Sequence, residues 1–116
     1  MSARFGPAGN SEAFSAKYKT TLQAPGYLEA FGLDHYEYQC GRGVKVSDKI
    51  AFALKDKAKE HNITLSLHAP YFISLSSENE ETRLKSVSYI LESAQAAKRL
   101  GAEKIVVHSG SCAKMS

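Results

Sequence analysis

The stretch SLHAPYFISLSS, residues 66–77, closes an alternating run with a histidine, then a proline and two aromatics. Residues 105–111, IVVHSGS, do the same at His108, again after an apolar run. Alternation over a few residues predicts a strand with one buried face. In the first run Leu65 and Leu67 share one face, while Thr64, Ser66 and His68 share the other. In the second, Ile105 and Val107 share one face, while Lys104, Val106 and His108 share the other. With the apolar faces turned to covering helices, both histidines stand on the opposite face, at the C-terminal ends of successive strands.

The elements around these two strands follow from periodicity and caps. Between them a long helix runs to about Leu100, introduced by capping-box spacing of Ser77 and Glu80. Its predicted apolar stripe is Val87, Ile90, Leu91, Ala94 and Ala97. Lys98 and Arg99 complement the dipole in its last turn, and Gly101 suits the position after it. Upstream, SDKIAFALKDKAKEHN (47–62) starts at Ser47, repeats Ile50, Leu54 and Ala58 at helical spacing, and ends at Asn62. LDHYEYQC (33–40) reads as an aromatic-rich strand closed by GRG. GYLEAFG (26–32) reads as a short helix between Pro25 and Gly32. ARFG (3–6) is a short opening strand, followed by a loop rich in Gly, Pro and Ser.

The order is therefore β-α-β-α-β-α-β, with strand starts roughly thirty to forty residues apart. Such alternation predicts an α/β fold with parallel strands joined by right-handed crossovers. A four-stranded doubly wound sheet and part of a (β/α)₈ barrel both satisfy it. A whole barrel takes ~250 residues, and this chain has 116. The last strand is followed only by SGSCAKMS, with no covering helix. The expectation is one domain, residues 1–116, forming the N-terminal half of a barrel: about four strands in sequential order and three helices, as a truncation. The exposed edges of such a sheet invite self-association.

Composition excludes several classes. The hydrophobic fraction of 43% is that of a soluble core, and no apolar run nears the ~20 residues of a membrane span. The N-terminal MSARFGPAGNSEAF has no signal-peptide core, so a cytoplasmic location is expected. Cys40 and Cys112 are too few for a disulfide framework and are read as free thiols. A net charge of +3 without a Lys/Arg cluster permits nucleic-acid binding but does not argue for it. GPAG and GRG lack the spacing and setting of a phosphate loop.

The candidate chemistry rests on the two histidines. Neutral imidazole is the commonest metal ligand, and two such groups with carboxylates suit zinc. The competing reading is that each is a hydrogen-bonded strand-end residue. Cys112 is either a third ligand or a loop thiol. His61 suits a helix C-terminus and His35 lies early in its strand, so both are read as structural. Glu37 shares the parity of His35 and Gln39; it is a polar residue of the barrel interior or a partner of Lys104.

LSLHAPYFISLSS, AKRLGAEKIVVHSGS and the opening RFGPAGNS together resemble the endonuclease IV family, the type 2 apurinic/apyrimidinic endonucleases of the xylose-isomerase-like barrel superfamily. The resemblance spans nearly the whole chain, and the strand motif around His68 is its more specific part. It implies a zinc phosphodiesterase that incises abasic double-stranded DNA on the 5′ side of the missing base, with up to three zinc ions at the C-terminal face of the barrel. It makes His68 and His108 zinc ligands, and makes Tyr71 and Phe72 the residues that probe the DNA where a base is missing. An aromatic wedge separates a duplex at low cost there. Arg42 falls in a loop that would contact DNA. The resemblance assigns no catalytic base or acid within this chain. The family's carboxylate and histidine ligands from later strands have no counterpart here, two histidines alone do not hold three zincs, and Pro7 stands where a first-strand histidine is common. The fragment itself is accordingly expected to be inactive. The alternatives are a metal-dependent sugar-phosphate isomerase or epimerase of the same superfamily, in which Glu37 would matter more than Tyr71, and a non-catalytic fragment that binds nucleic acid or metal.

Overall fold

In the computed structural model, which describes residues 3–110, strands β1 (His35–Gln39), β2 (Thr64–His68) and β3 (Lys104–Val106) form one parallel sheet in the order β1-β2-β3. Register aligns Glu37 with Ser66 and Ser66 with Lys104, then Gln39 with His68 and His68 with Val106. The crossovers are helices. Helices α1 (Glu12–Lys17) and α2 (Ala24–Ala30) precede β1, α3 (Asp48–Glu60) joins β1 to β2, and α4 (Glu80–Leu100) joins β2 to β3. The α/β class, the parallel pairing and the sequential order are those of a partial barrel, as expected from the sequence.

The opening strand is a correction. Residues 5–9 run alongside β1 in the parallel sense but make only one bridge, Ala8 to Glu37. The N–H groups of His35 and Glu37 donate to the carbonyls of Phe5 (3.1 Å) and Pro7 (3.0 Å), and Gly9 N–H donates to Glu37 O (2.9 Å). The absent rung is the N–H that Pro7 does not have. Gly6 passes so close to the His35 carbonyl that no side chain fits there. The described residues thus hold three strands, not four.

Four further details differ. The Ser-rich loop contains α1, capped by Ser11, whose side chain accepts from Phe14 N–H. Helix α4 is capped by Asn79, which accepts from Thr82 N–H, while the Ser77 hydroxyl accepts from Asn79 N–H one turn earlier. The buried face of α4 is Ser86, Ser93, Ala96, Ala97 and Leu100, whereas Val87, Leu91 and Ala94 are exposed. Small residues let α4 approach α3 and the sheet closely, and the bulkier Leu84, Val87 and Leu91 turn away. Finally, β3 ends at Val106, two residues short of His108. Beyond it the chain is held from across the rim, where Leu75 N–H donates to Ser109 O at 2.7 Å.

The core lies on the helix side of the sheet. Leu65 and Leu67 of β2 pack with Leu54 of α3 and with Ala97 and Leu100 of α4, and Leu54, Leu67 and Leu100 have no exposed surface. Burying a leucine of this kind stabilises by about 1.5–3 kcal/mol. Ser47 caps α3 by accepting from Ile50 N–H. At the other end of α3, His61 occupies the C-cap and its Nδ1 meets Glu29 Oε1 of α2 at 3.1 Å, the structural role read from the sequence. Asn62 follows with φ at 57°, the left-handed geometry that turns the chain into β2. Among the described residues no helix is long and apolar enough to cross a membrane.

Candidate metal and substrate site

The face of the sheet opposite the core is polar. His35, Glu37 and Gln39 of β1 and Thr64, Ser66 and His68 of β2 point the same way, because alternation fixes them opposite Tyr36, Leu65 and Leu67. The strand ends where it does because Pro70 follows His68 and Ala69; the last rungs are Cys40 N–H to His68 O (3.0 Å) and Ala69 N–H to Val106 O (2.9 Å). His68 is therefore the final inward side chain of β2, at the C-terminal end of the sheet.

His108 comes to the same place from the segment after β3. The two imidazole rings lie with centroids 4.8 Å apart, tilted by 36°. His68 is half-buried and His108 is exposed at the rim. Glu37 is adjacent: its Oε2 meets His68 Nδ1 at 3.2 Å and accepts from Gln39 Nε2 at 3.3 Å, while its Oε1 accepts from the Ser66 hydroxyl at 3.0 Å. The carboxylate is occupied on both oxygens, by Ser66, His68 and Gln39. Of the two roles open to Glu37 in the sequence, its contacts are those of an inner-face residue beside His68.

Deeper in, His35 bridges the strands. Its Nδ1 lies 2.7 Å from Thr64 Oγ1 and its Nε2 lies 2.9 Å from Ser66 Oγ. Burial pulls its pKa below the ordinary histidine value, against the opposing pull of Glu37 and Asp34; Lys104, on the same face, works with burial. The sequence puts Ser66 on the face of His68 and makes His35 a structural residue, without joining the two. The signal was present: both alternate in register with Glu37 and His68.

The aromatic pair is at the rim. Tyr71 and Phe72 meet edge to face at 5.7 Å, and Phe72 in turn packs edge to face on Tyr89 of α4 at 4.8 Å. Phe72 is thus anchored, whereas Tyr71 projects with 64% of its surface exposed. Arg42 is exposed on the turn after β1. That turn is tied to the Tyr71 loop, since Tyr71 N–H donates to Gly41 O at 3.3 Å. A second tie fastens the rim to the scaffold: the buried Ser86 hydroxyl of α4 accepts from Ser74 N–H and donates to Ser74 O. Cys40 is a free, half-buried thiol packed against the core, and burial pushes its pKa up to about 11, away from the thiolate form. Cys112 lies outside the described residues.

The donor set fits one side of a metal site. Two imidazoles at this separation suit a shared or neighbouring ion, and a carboxylate on the Nδ1 of one of them is the usual outer support of a histidine ligand. Among the described residues no group of three or more His, Cys, Asp or Glu side chains could enclose a metal. Among the described residues the chain thus offers two candidate donors, His68 and His108, with Glu37 beside one of them, and a closed site requires further donors.

Comparison with known proteins agrees on the barrel. The family described as xylose isomerase-like TIM barrel matches residues 26–115. Among solved structures the chain is similar to D-psicose 3-epimerase in the presence of D-fructose, with 19% sequence identity and a TM-score of 0.65. The match covers 74% of this chain and 30% of that one, so the chain spans under a third of that enzyme's length. No curated protein matches.

Proposed function

From a chain that belongs to the xylose isomerase-like TIM-barrel family, we propose the N-terminal part of a cytoplasmic, zinc-dependent barrel enzyme that incises DNA 5′ to abasic sites. The observation that carries this reading is the juxtaposition at one rim of the His68–His108 pair and the projecting Tyr71, anchored through Phe72. An aromatic that projects beside the histidine pair suits a substrate that stacks.

In this reading His68 and His108 hold the metal on the side of the barrel that this chain builds. Zinc there would polarise the phosphodiester and lower the pKa of a bound water toward ~7. Tyr71 stacks into the gap left by the missing base, where no partner base resists it. Phe72 keeps that loop fixed by packing on Tyr89. Arg42, on the turn tied to the Tyr71 loop, pairs with a backbone phosphate. The remaining ligands, and up to three zinc ions, come with the later strands of a complete barrel, so the 116-residue chain alone is inactive.

A second reading is a sugar isomerase or epimerase. It is favoured by the likeness to D-psicose 3-epimerase and by Glu37 on the inner face beside His68. One experiment separates the two. A zinc-loaded full-length barrel carrying this segment is given an abasic duplex and, separately, ketohexoses. Nicking 5′ to the abasic site, abolished by chelation, supports the nuclease. Epimerisation without nicking moves the assignment to the sugar enzyme.

A further inference from the structure

The inner face carries a continuous chain of hydrogen bonds, and counting its protons fixes their direction. The chain runs Thr64 Oγ1, His35, Ser66 Oγ, Glu37, His68, with contacts of 2.7, 2.9, 3.0 and 3.2 Å, and Thr64 Oγ1 also lies 3.3 Å from Asp34 O. Three groups converge on the Glu37 carboxyl. One of them, the Gln39 amide nitrogen, can only donate. An ionised carboxylate only accepts, so the contacts to Ser66 and His68 must also be donors. Ser66 has a single hydroxyl proton, which points at Glu37 Oε1. Its contact with His35 is then an Nε2–H of the ring donating to Ser66 Oγ. The neutral His35 ring is left with a bare Nδ1, which accepts the Thr64 proton over the shorter of that hydroxyl's two contacts. At the other end, His68 must carry its proton on Nδ1.

We propose that Glu37, itself oriented by Ser66 and His35, is a positioning residue that locks His68 in the Nδ1–H tautomer and so keeps its Nε2 as a free lone pair at the rim. Free histidine prefers the opposite tautomer, with the proton on Nε2. Without Glu37 the ring would mostly be protonated on the atom it has to offer a ligand. The His35–Ser66 pair keeps the carboxylate from turning away, since it ties Oε1 to the deeper part of the sheet. The value of this lock rests on His68 acting as a metal ligand, but the lock itself is a property of the metal-free chain.

The test is nitrogen-15 NMR of the histidine rings in the metal-free 116-residue protein, at a pH where the rings are neutral. Long-range proton–nitrogen correlations read each tautomer directly. In the wild type His68 should be Nδ1–H and His35 Nε2–H. In Glu37→Ala the His68 pattern should convert to Nε2–H. Glu37→Gln is the sharper variant. Its amide oxygen still accepts from His68 Nδ1–H, so His68 keeps its tautomer. Its NH₂ now donates to Ser66, which frees the Ser66 proton for His35 Nε2 and turns His35 to Nδ1–H. A residue that merely filled space would move neither pattern. His68 found as Nε2–H in the wild type, or unchanged in Glu37→Ala, overturns the proposal, and the wild-type spectrum decides the first point even if a variant fails to fold. Because no metal or DNA enters the measurement, a failed nuclease assay with these tautomers intact would count against the proposed function alone.

Discussion

The two faces of β2 lie on the same five residues and do opposite things. Leu65 and Leu67 are buried against α3 and α4, while Thr64, Ser66 and His68 join a polar chain that ends at an open rim. The apolar face is held by area removed from water, which is large and insensitive to chemical detail. The polar face gains little net stability from its hydrogen bonds, because the unfolded chain makes equivalent ones with water. What the polar face gains is orientation: the His35 ring and the Glu37 carboxylate are each held at both ends, and His68 is held at Nδ1. The contrast teaches where stability and chemistry reside in this chain, and it can be broken from either side.

The largest effect is expected on the apolar face. Leu67→Ala should lower the unfolding free energy by about 2–5 kcal/mol, since Leu67 has no exposed surface and its removal leaves a cavity under both helices. Chemical denaturation measures it. A loss below about 1 kcal/mol would mean that the helix side of the sheet is less tightly packed than its burial indicates.

The next effect is at the rim. If the proposed nuclease function holds, replacing Tyr71 by Ala should cut the preference of the full-length protein for abasic over intact duplex roughly tenfold, the scale of one lost stacking contact. Stability should change by less than about 0.5 kcal/mol, because the side chain is mostly exposed. Phe72→Ala should cost more stability than Tyr71→Ala, since it also removes the packing on Tyr89. Unaltered discrimination in both variants would take the aromatic pair out of substrate recognition.

The smallest effect is a pH dependence on the polar face. Burial depresses the pKa of His35 below its unfolded value of 6.5. The unfolded chain therefore takes up this proton more readily than the folded one, and stability from the neutral ring is present above pH 6.5 and lost as pH falls through the folded pKa. His35→Gln removes that titration. The stability gap between wild type and variant should shrink from about pH 7.5 to about pH 5. A gap that stays constant would contradict a depressed pKa at the half-buried His35.

Much of this contrast is legible in the sequence, and the exceptions have physical causes. Parity fixes His68 on the polar face, because period-two alternation leaves no choice once Leu65 and Leu67 are buried, whereas His108 reaches the same rim from the segment after β3. Caps placed α3 almost to the residue, since Ser47 does what a serine before a helix does. Three features were not legible. The opening strand failed on a single missing N–H at Pro7, and a short extended run does not reveal whether its rungs can form. The buried face of α4 was misassigned because two serines lie in it. Ser86 and Ser93 look polar in a pattern, yet each donates to a backbone carbonyl, Ser74 and Tyr89 respectively, and is as buried as a leucine. His35 and Ser66 were visible only as parity, and their role needed distances.

The central claim is that His68 and His108 act together as ligands on the polar face while the apolar face carries the fold. Calorimetric titration of zinc into the full-length barrel tests it most directly, comparing wild type with His68→Ala and His108→Ala. Each substitution should weaken zinc binding at least tenfold, with unfolding stability of the metal-free protein kept within about 1 kcal/mol. Wild-type zinc affinity in both variants would contradict the claim.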